Sequence, residues 1–447
     1  MRAGQAVLLS ILLAASSGAA LEAEPPRSRV ELGLRLAPPG ALVFRGREEL
    51  PLRQGRNGIR WASLEPGPQE LLILAEGCVA RRISLELPPP SGLPARGPLL
   101  LEEKLERAGS PLELERMGPT GLRPKSLAFS PDGRFLVVPL LSGRGADLLD
   151  AASLAPLGRL EPPLPFAASE GFVECAFFPR SREIWVSQMH SSRIHAFDLD
   201  SFAYKDSFPS GGSYPKVIAS SPDGSRAYVS NWVSEDVCVI ETSSRRILAR
   251  IKTGGTPRGL APSPDGRWLY IARFSDGAIL RLDLASMELA TFHAPDGGAK
   301  RHLVLDPDRG RLYATDMGRG SLFAFDCARG RLLAEIRLGP NPNGCALSPD
   351  GRLIYACTRG PDGEEGYERK GPVAGELIAI DARRLAVVAR QWGGAQPTGL
   401  AVSPDGSRIL FTDFLDHRVE SYRASGFGSL PRDRFAPPSA RAVASAR

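Results

Sequence analysis

Four basic residues stand out for where they fall. Lys125, Lys216, Arg258 and Arg301 each lie six residues ahead of a proline that opens a tight turn. The same offset ahead of three further prolines gives Val173, Asn343 and Thr398, so none of the seven positions is acidic. Cations gathered at one place raise the local positive potential, and the chemistry open to them is anion binding. The bland alternative is that each cation is solvated or paired with a nearby acid, as most surface lysines and arginines are. His302, next to Arg301, would add an acid–base group to the same place. A second set lies ten residues after the prolines and includes Trp232, Phe274 and Phe414, with Met189 and Met317. Aromatic faces beside cations suit a peptide, a sugar or a nucleic-acid strand, whereas the two methionines read better as packing between loops. One residue earlier, Asn231 and Arg273 supply polar groups.

For these residues to meet, the elements carrying them must repeat in phase. The turn prolines are Pro131, Pro179, Pro222, Pro264, Pro307, Pro349 and Pro404. They recur at roughly 40–45 residues, the period of a propeller blade, with wider gaps at the first and last steps. Five of the turns are full Ser-Pro-Asp-Gly, and the turns at Pro179 and Pro307 have drifted. Proline presets φ at the second turn position, Asp tolerates the third and Gly takes the fourth. Six residues after each proline stand Val137, Trp185, Tyr228, Tyr270, Tyr313, Tyr355 and Leu410, large or β-branched residues suited to a packed strand. One unit, 216–251, reads as an inner strand, the turn at Pro222, then strands over 227–231, 237–240 and 247–251. The expectation is an all-β chain with a seven-bladed β-propeller over 111–424. Its last unit lacks an outer strand, and 112–117 is expected to supply it, closing the ring and removing open sheet edges.

Tyr228-Val229-Ser230-Asn231, followed by Val237-Cys238-Val239-Ile240-Glu241, resembles the YVTN-type seven-bladed propeller family of secreted prokaryotic proteins. The resemblance covers about 111–424. It implies a fold rather than an activity, since surface-layer proteins, periplasmic binding modules and propeller chains of redox enzymes share the architecture.

The N-terminal third differs. Residues 28–88 read as short strands (32–36, 41–44, 59–64, 71–75 and 83–87) split by Gly and Pro, a small β-sandwich-like domain. Leu64-Glu65-Pro66-Gly67 through Glu76-Gly77 is similar to the PEGA family of envelope β-modules, with Cys78 where that family has an aromatic residue. Residues 89–110 read as a Pro-rich linker with a short helix over 99–108. Residues 1–20 read as a secretory signal: Arg2, an apolar stretch over 6–15 and small residues at 18–20. Residues 425–447 have little apolar surface and read as a disordered tail. No segment after the signal is long and apolar enough to span a membrane. These signs place the chain in the periplasm or at the cell surface, as a monomer.

The chain has 447 residues, a net charge of +6, five His and six Cys. That mild basicity does not by itself specify nucleic acid. The cysteines show no CxxC spacing; Cys345 and Cys357, on adjacent strands, sit diagonally and read as buried thiols rather than a disulfide. The histidines have no metal-ligand spacing, and no nucleotide-binding or hydrolase motif occurs, so no catalytic residue, metal or cofactor is assigned. Asp150, Asp198, Asp283, Asp326 and Asp381 recur at one repeat position, where they are expected to cap turns. An insertion over 359–375 in the sixth unit carries Glu364, Glu365 and Glu368, which could cover the basic mouth.

The leading reading is a non-enzymatic binding platform. Its partner, an envelope or surface protein or an anionic polymer, docks on the face bearing Lys125, Lys216, Arg258, Arg301, Trp232, Phe274 and Phe414. The alternatives are an enzyme (a lactonase-like hydrolase using His302 and Arg301, or a subunit of a periplasmic redox complex) and a single-stranded nucleic-acid binder.

Overall fold

The computed structural model describes residues 29–425 except 47, 76–77 and 89–98, together with Phe427. The signal segment 1–20 and nearly all of the tail lie outside the described residues. The chain forms two compact units: Met1–Gly109 with Pro361–Ala374, and Ser110–Gly360 with Gly375–Arg447.

In the first unit, two four-stranded sheets share one core. One sheet joins Arg53–Gln54, Ile59–Leu64, Val30–Ala37 and Leu99–Lys104 in that order. The other joins Glu48–Glu49, Leu42–Arg45, Gly67–Leu74 and Arg81–Leu87. Leu32, Leu34, Leu64, Leu71, Ile73 and Leu101 pack between them, which makes the unit a β-sandwich. Leu99–Lys104 is a strand, pairing in parallel with Val30–Ala37, not the start of a helix. Leu99 and Leu101 are buried and alternate with half-buried or exposed neighbours; a period of two suits a sheet edge packed on one face. The supposed linker therefore contributes a strand to the sandwich. The insertion residues 361–374 also belong to this unit, where Lys370 ion-pairs with Glu102. They group with the sandwich rather than with the blades.

The second unit is a seven-bladed β-propeller. Blades one to six have four consecutive antiparallel strands, with inner strands Ala128–Phe129, Phe172–Phe178, Pro215–Ser220, Pro257–Pro262, Lys300–Asp306 and Pro342–Leu347. Blade seven takes Pro397–Val402, Arg408–Asp413 and Arg418–Ala424 from the C-terminal end, and its outer strand is Leu112–Pro119. The ring closes as the phase of the repeat requires, with Leu112 opposite Ala424 and Pro119 opposite Arg418.

The Ser-Pro-Asp-Gly turns do what their chemistry suggests. In the turn at Pro222, the Ser221 hydroxyl donates to Asp223 at 2.6 Å and accepts the amide of Arg226 at 2.9 Å. Gly224 sits at φ 69°, where a side chain would be strained. The strand-end aspartates accept turn amides, as Asp198 does from Asp200 and Ser201. The second-strand residues Val137, Trp185, Tyr228, Tyr270, Tyr313, Tyr355 and Leu410 are all buried between blades.

Two devices join the blades at the hub. The inner strands of blades two to seven each carry a register shift where they enter the hub. The extra residue leaves backbone groups outside the ladder. A hydroxyl on the second strand of one blade takes such a carbonyl of the next: Ser187 donates to Lys216 O at 3.0 Å, Ser230 to Arg258 O at 2.9 Å and Thr315 to Asn343 O at 2.7 Å. Two of these hydroxyls also accept an amide of their own inner strand, Ser230 from Val217 and Thr315 from His302. Glycine then lets the blades approach closely, since a Cβ at Gly399 would lie 2.5 Å from the Ser126 backbone.

Leu112 tests the closure. It is fully buried with Tyr355, Phe411 and Tyr422. Leu112→Ala should cost about 2–5 kcal/mol, read as a lower urea midpoint. An unchanged midpoint would mean the closing strand adds nothing to the ring.

Candidate functional site

The inner-strand entries bring the four cations together. Lys125, Lys216 and Arg301 are half-buried and Arg258 is buried. Burial first, then the charges of Arg301, Arg359, Lys216 and Arg258, hold the Lys125 ammonium well below the usual lysine range. Burial, then Arg258 and Arg301, brings Lys216 down to about 7. The guanidinium of Arg301 is pushed down by burial and by Arg258 and Arg359. Mutual repulsion is thus built into the group, and an anion would relieve it.

Two further residues belong here that the repeat position did not mark. Arg359, buried and donating to Gln396 at 2.7 Å, adds a fifth cation from the start of the blade-six loop. Glu174 lies among the cations, and burial raises its carboxyl against the pull of Arg258 and Arg301. Glu174 comes one residue after the repeat position, and the register shift before it makes this next residue of the inner strand face the hub as well. His302 occupies the corresponding place in blade five. Burial, then Arg258 and Arg301, presses its imidazole down to about 4, so the ring is neutral at pH 7. Of the non-basic members of the ring, Asn343 accepts from Arg301 through its side-chain oxygen, and its buried Nδ2 has no partner among the described residues. Thr398 donates to Pro124 O at 3.1 Å.

The aromatic set divides. Trp232 and Phe274 are half-buried, their rings 4.9 Å apart, and Lys216 Nζ lies 5.4 Å from the Trp232 ring. Phe414 instead is fully buried with Leu141, Val173 and Met189. It is therefore no exposed contact, because neighbouring loops close over it. Its ring still supports Lys125, whose Nζ stands 4.5 Å above it. Met189 packs in the same cluster and also receives the Lys216 ammonium, while Met317 lies 3.7 Å from Arg301 NH1.

Asn231 and Arg273 do not join the site. Asn231 is fully buried inside blade three, donating to Asp236 at 3.0 Å and to the Cys238 thiol at 3.4 Å. Arg273 forks onto Asp276, with Nε to Oδ1 at 2.8 Å, and donates to Thr253 O. Both residues follow the alternation of the second strand, which turns that position into the blade rather than toward the hub. Cys345 pairs with Ala356 in the ladder, which leaves Cys357 diagonal to it, and both thiols are free and buried. Among the described residues no group of three His, Cys, Asp or Glu side chains is placed to hold a metal ion, and no helix is long and apolar enough to cross a membrane.

Because Lys216 holds its proton less tightly in the fold, the unfolded chain binds more protons from about pH 7 up to the ordinary lysine value near 10.4. Stability should therefore rise with pH across that interval. The rise in melting temperature should be smaller in Lys216→Met, and matching pH profiles would show that Lys216 is not strained by its surroundings.

No known family profile matches the chain. Its fold resembles hydrazine synthase of Kuenenia stuttgartiensis, with a TM-score of 0.56 at 21% identity, covering 68% of this chain and 97% of that one; at this distance the likeness concerns the fold alone. In sequence, the chain is 37% identical to antigen Lp49 of Leptospira interrogans over 317 residues, 69% of each protein. With that identity over more than two thirds of both sequences, the protein belongs to the family of antigen Lp49.

Proposed function

We propose that the protein is an exported, non-enzymatic binding platform whose propeller hub holds an anionic group of an envelope protein or anionic polymer. What carries the reading is the convergence of Lys216, Arg258 and Arg301, each with its charge disfavoured by burial. A fold that keeps such a group at rest has a reason to meet negative charge, since an unpaired buried cation otherwise only destabilises. The Asn343 amide, without a partner among the described residues, offers a further donor, and Trp232 with Phe274 offers an apolar shelf beside Lys216. A relative described as an antigen agrees with export to the surface. The same reading takes the blades as YVTN-type repeats and the sandwich as a PEGA-like module.

Glu174 sits within the cation group and competes with an incoming anion for it. Lys216 should lose its charge as pH rises through about 7, so anion affinity should fall across neutral pH.

A second reading has one observation in its favour: neutral His302 lies beside Arg258 and Arg301, as a lactonase-like hydrolase would need. His302→Ala separates the two, since it would abolish hydrolysis yet leave anion retention. A nucleic-acid strand would instead show steep salt dependence and loss on Trp232→Ala.

The direct test is retention on immobilised polyglutamate and from envelope extract. The triple variant Lys216→Ala, Arg258→Ala, Arg301→Ala should bind at least about tenfold more weakly, a loss of 1.4 kcal/mol or more. Glu174→Gln should bind more tightly than wild type. Equal retention by wild type and the triple variant would remove the site.

A further inference from the structure

We propose that the seam between blades four and five holds a second site, for a small organic anion bearing one carboxylate or phosphate on a compact apolar body. One register position carries an exceptional residue type in blade four. In every blade, the residue opposite the buried second-strand position falls in the middle of the third strand. Six of these residues are Leu148, Ala196, Val239, Ala324, Ala379 and Ser421, none more than 3% exposed. In blade four the place belongs to Arg281, opposite Tyr270.

An arginine thus stands where the fold otherwise packs a small or aliphatic residue. A cleft of about 800 Å³ opens there, lined by Trp268, Tyr270 and Arg281 from blade four and by Arg311, Arg329 and Leu333 from blade five. That volume lies within the range of small-molecule sites, roughly 300–1,000 Å³. The Arg281 guanidinium is half-buried and lies 4.3 Å from the Trp268 ring, contact that fixes its plane. Among the described residues no carboxylate forms an ion pair with it.

The acids that reach the cleft are already engaged. Asp265 accepts from Ser263 and from the Arg267 amide. Asp326 accepts the amides of Ala328 and Arg329, and the Arg329 side chain lies 3.4 Å from it. Arg311 donates to Ala382 O at 2.6 Å, and the Arg281 guanidinium, which also donates to the Tyr270 hydroxyl, is the group placed to receive the anion. A planar fork of this kind takes a carboxylate or phosphate through two parallel hydrogen bonds. Leu305 and Leu333 offer apolar wall to the rest of the ligand.

The test uses the full chain and phenyl phosphate, with phenol as the uncharged control, in calorimetric titration. Arg281→Ala installs the residue that blades two, five and six already carry, so the ring should still close; Arg281→Gln, which keeps the length, stands beside it should the smaller residue unfold the seam. Wild type should bind phenyl phosphate more tightly than phenol. Both Arg281 variants should lose at least about tenfold for phenyl phosphate, and Arg258→Ala should lose nothing. No binding by wild type, equal binding by the Arg281 variants, or an equal loss in Arg258→Ala would overturn the site.

Discussion

The propeller depends on a hydroxyl that serves two blades at once. A register shift at the mouth of the inner strands of blades two to seven strands a carbonyl and an amide, and buried backbone groups without partners are costly. Ser230 and Thr315 answer both, taking the amide of their own inner strand and giving their proton to the carbonyl of the next blade. One atom thus sets the angle between blades and the depth at which each inner strand enters the hub. Everything at the mouth inherits its place from that contact.

Electrostatics follows from the geometry. Once the entry residue of every blade is pinned at one level, Lys125, Lys216, Arg258 and Arg301 have no choice but to share a small volume. Each is poorly hydrated there, and each feels the others. Glu174 and Asn343 temper the group without cancelling it. The arrangement trades stability for a poised positive field, which is how binding sites differ from cores.

The blades and the ring closure were legible because turn chemistry and strand burial agree at every repeat. Proline phase alone brought the four cations to one place. It failed where direction depends on more than phase. Asn231 and Arg273 sit one residue from the loop, still in the pleat, and so turn inward to Asp236 and Asp276. Phe414 lies in the loop, but its neighbours fold over it. Glu174 was missed because the register shift shows two consecutive residues to the hub, where strict alternation would show one. Leu99–Lys104 was misread because a lone strand far in sequence from its partner, Val30–Ala37, carries little local sign of pairing.

The relay of hydroxyls is not complete. At the steps from blade one to two and from blade four to five the equivalent residues are Pro139 and Ala272, neither of which has a proton to give, and from blade six to seven it is Cys357, whose thiol reaches Thr398 O only at 3.8 Å. A wheel fastened unevenly has a preferred place to crack. Thermal or mechanical load should part the hub beside Pro139 and Ala272 first, and amide hydrogens along Phe172–Phe178 and Lys300–Asp306 should exchange with solvent ahead of their counterparts in the better-fastened sectors.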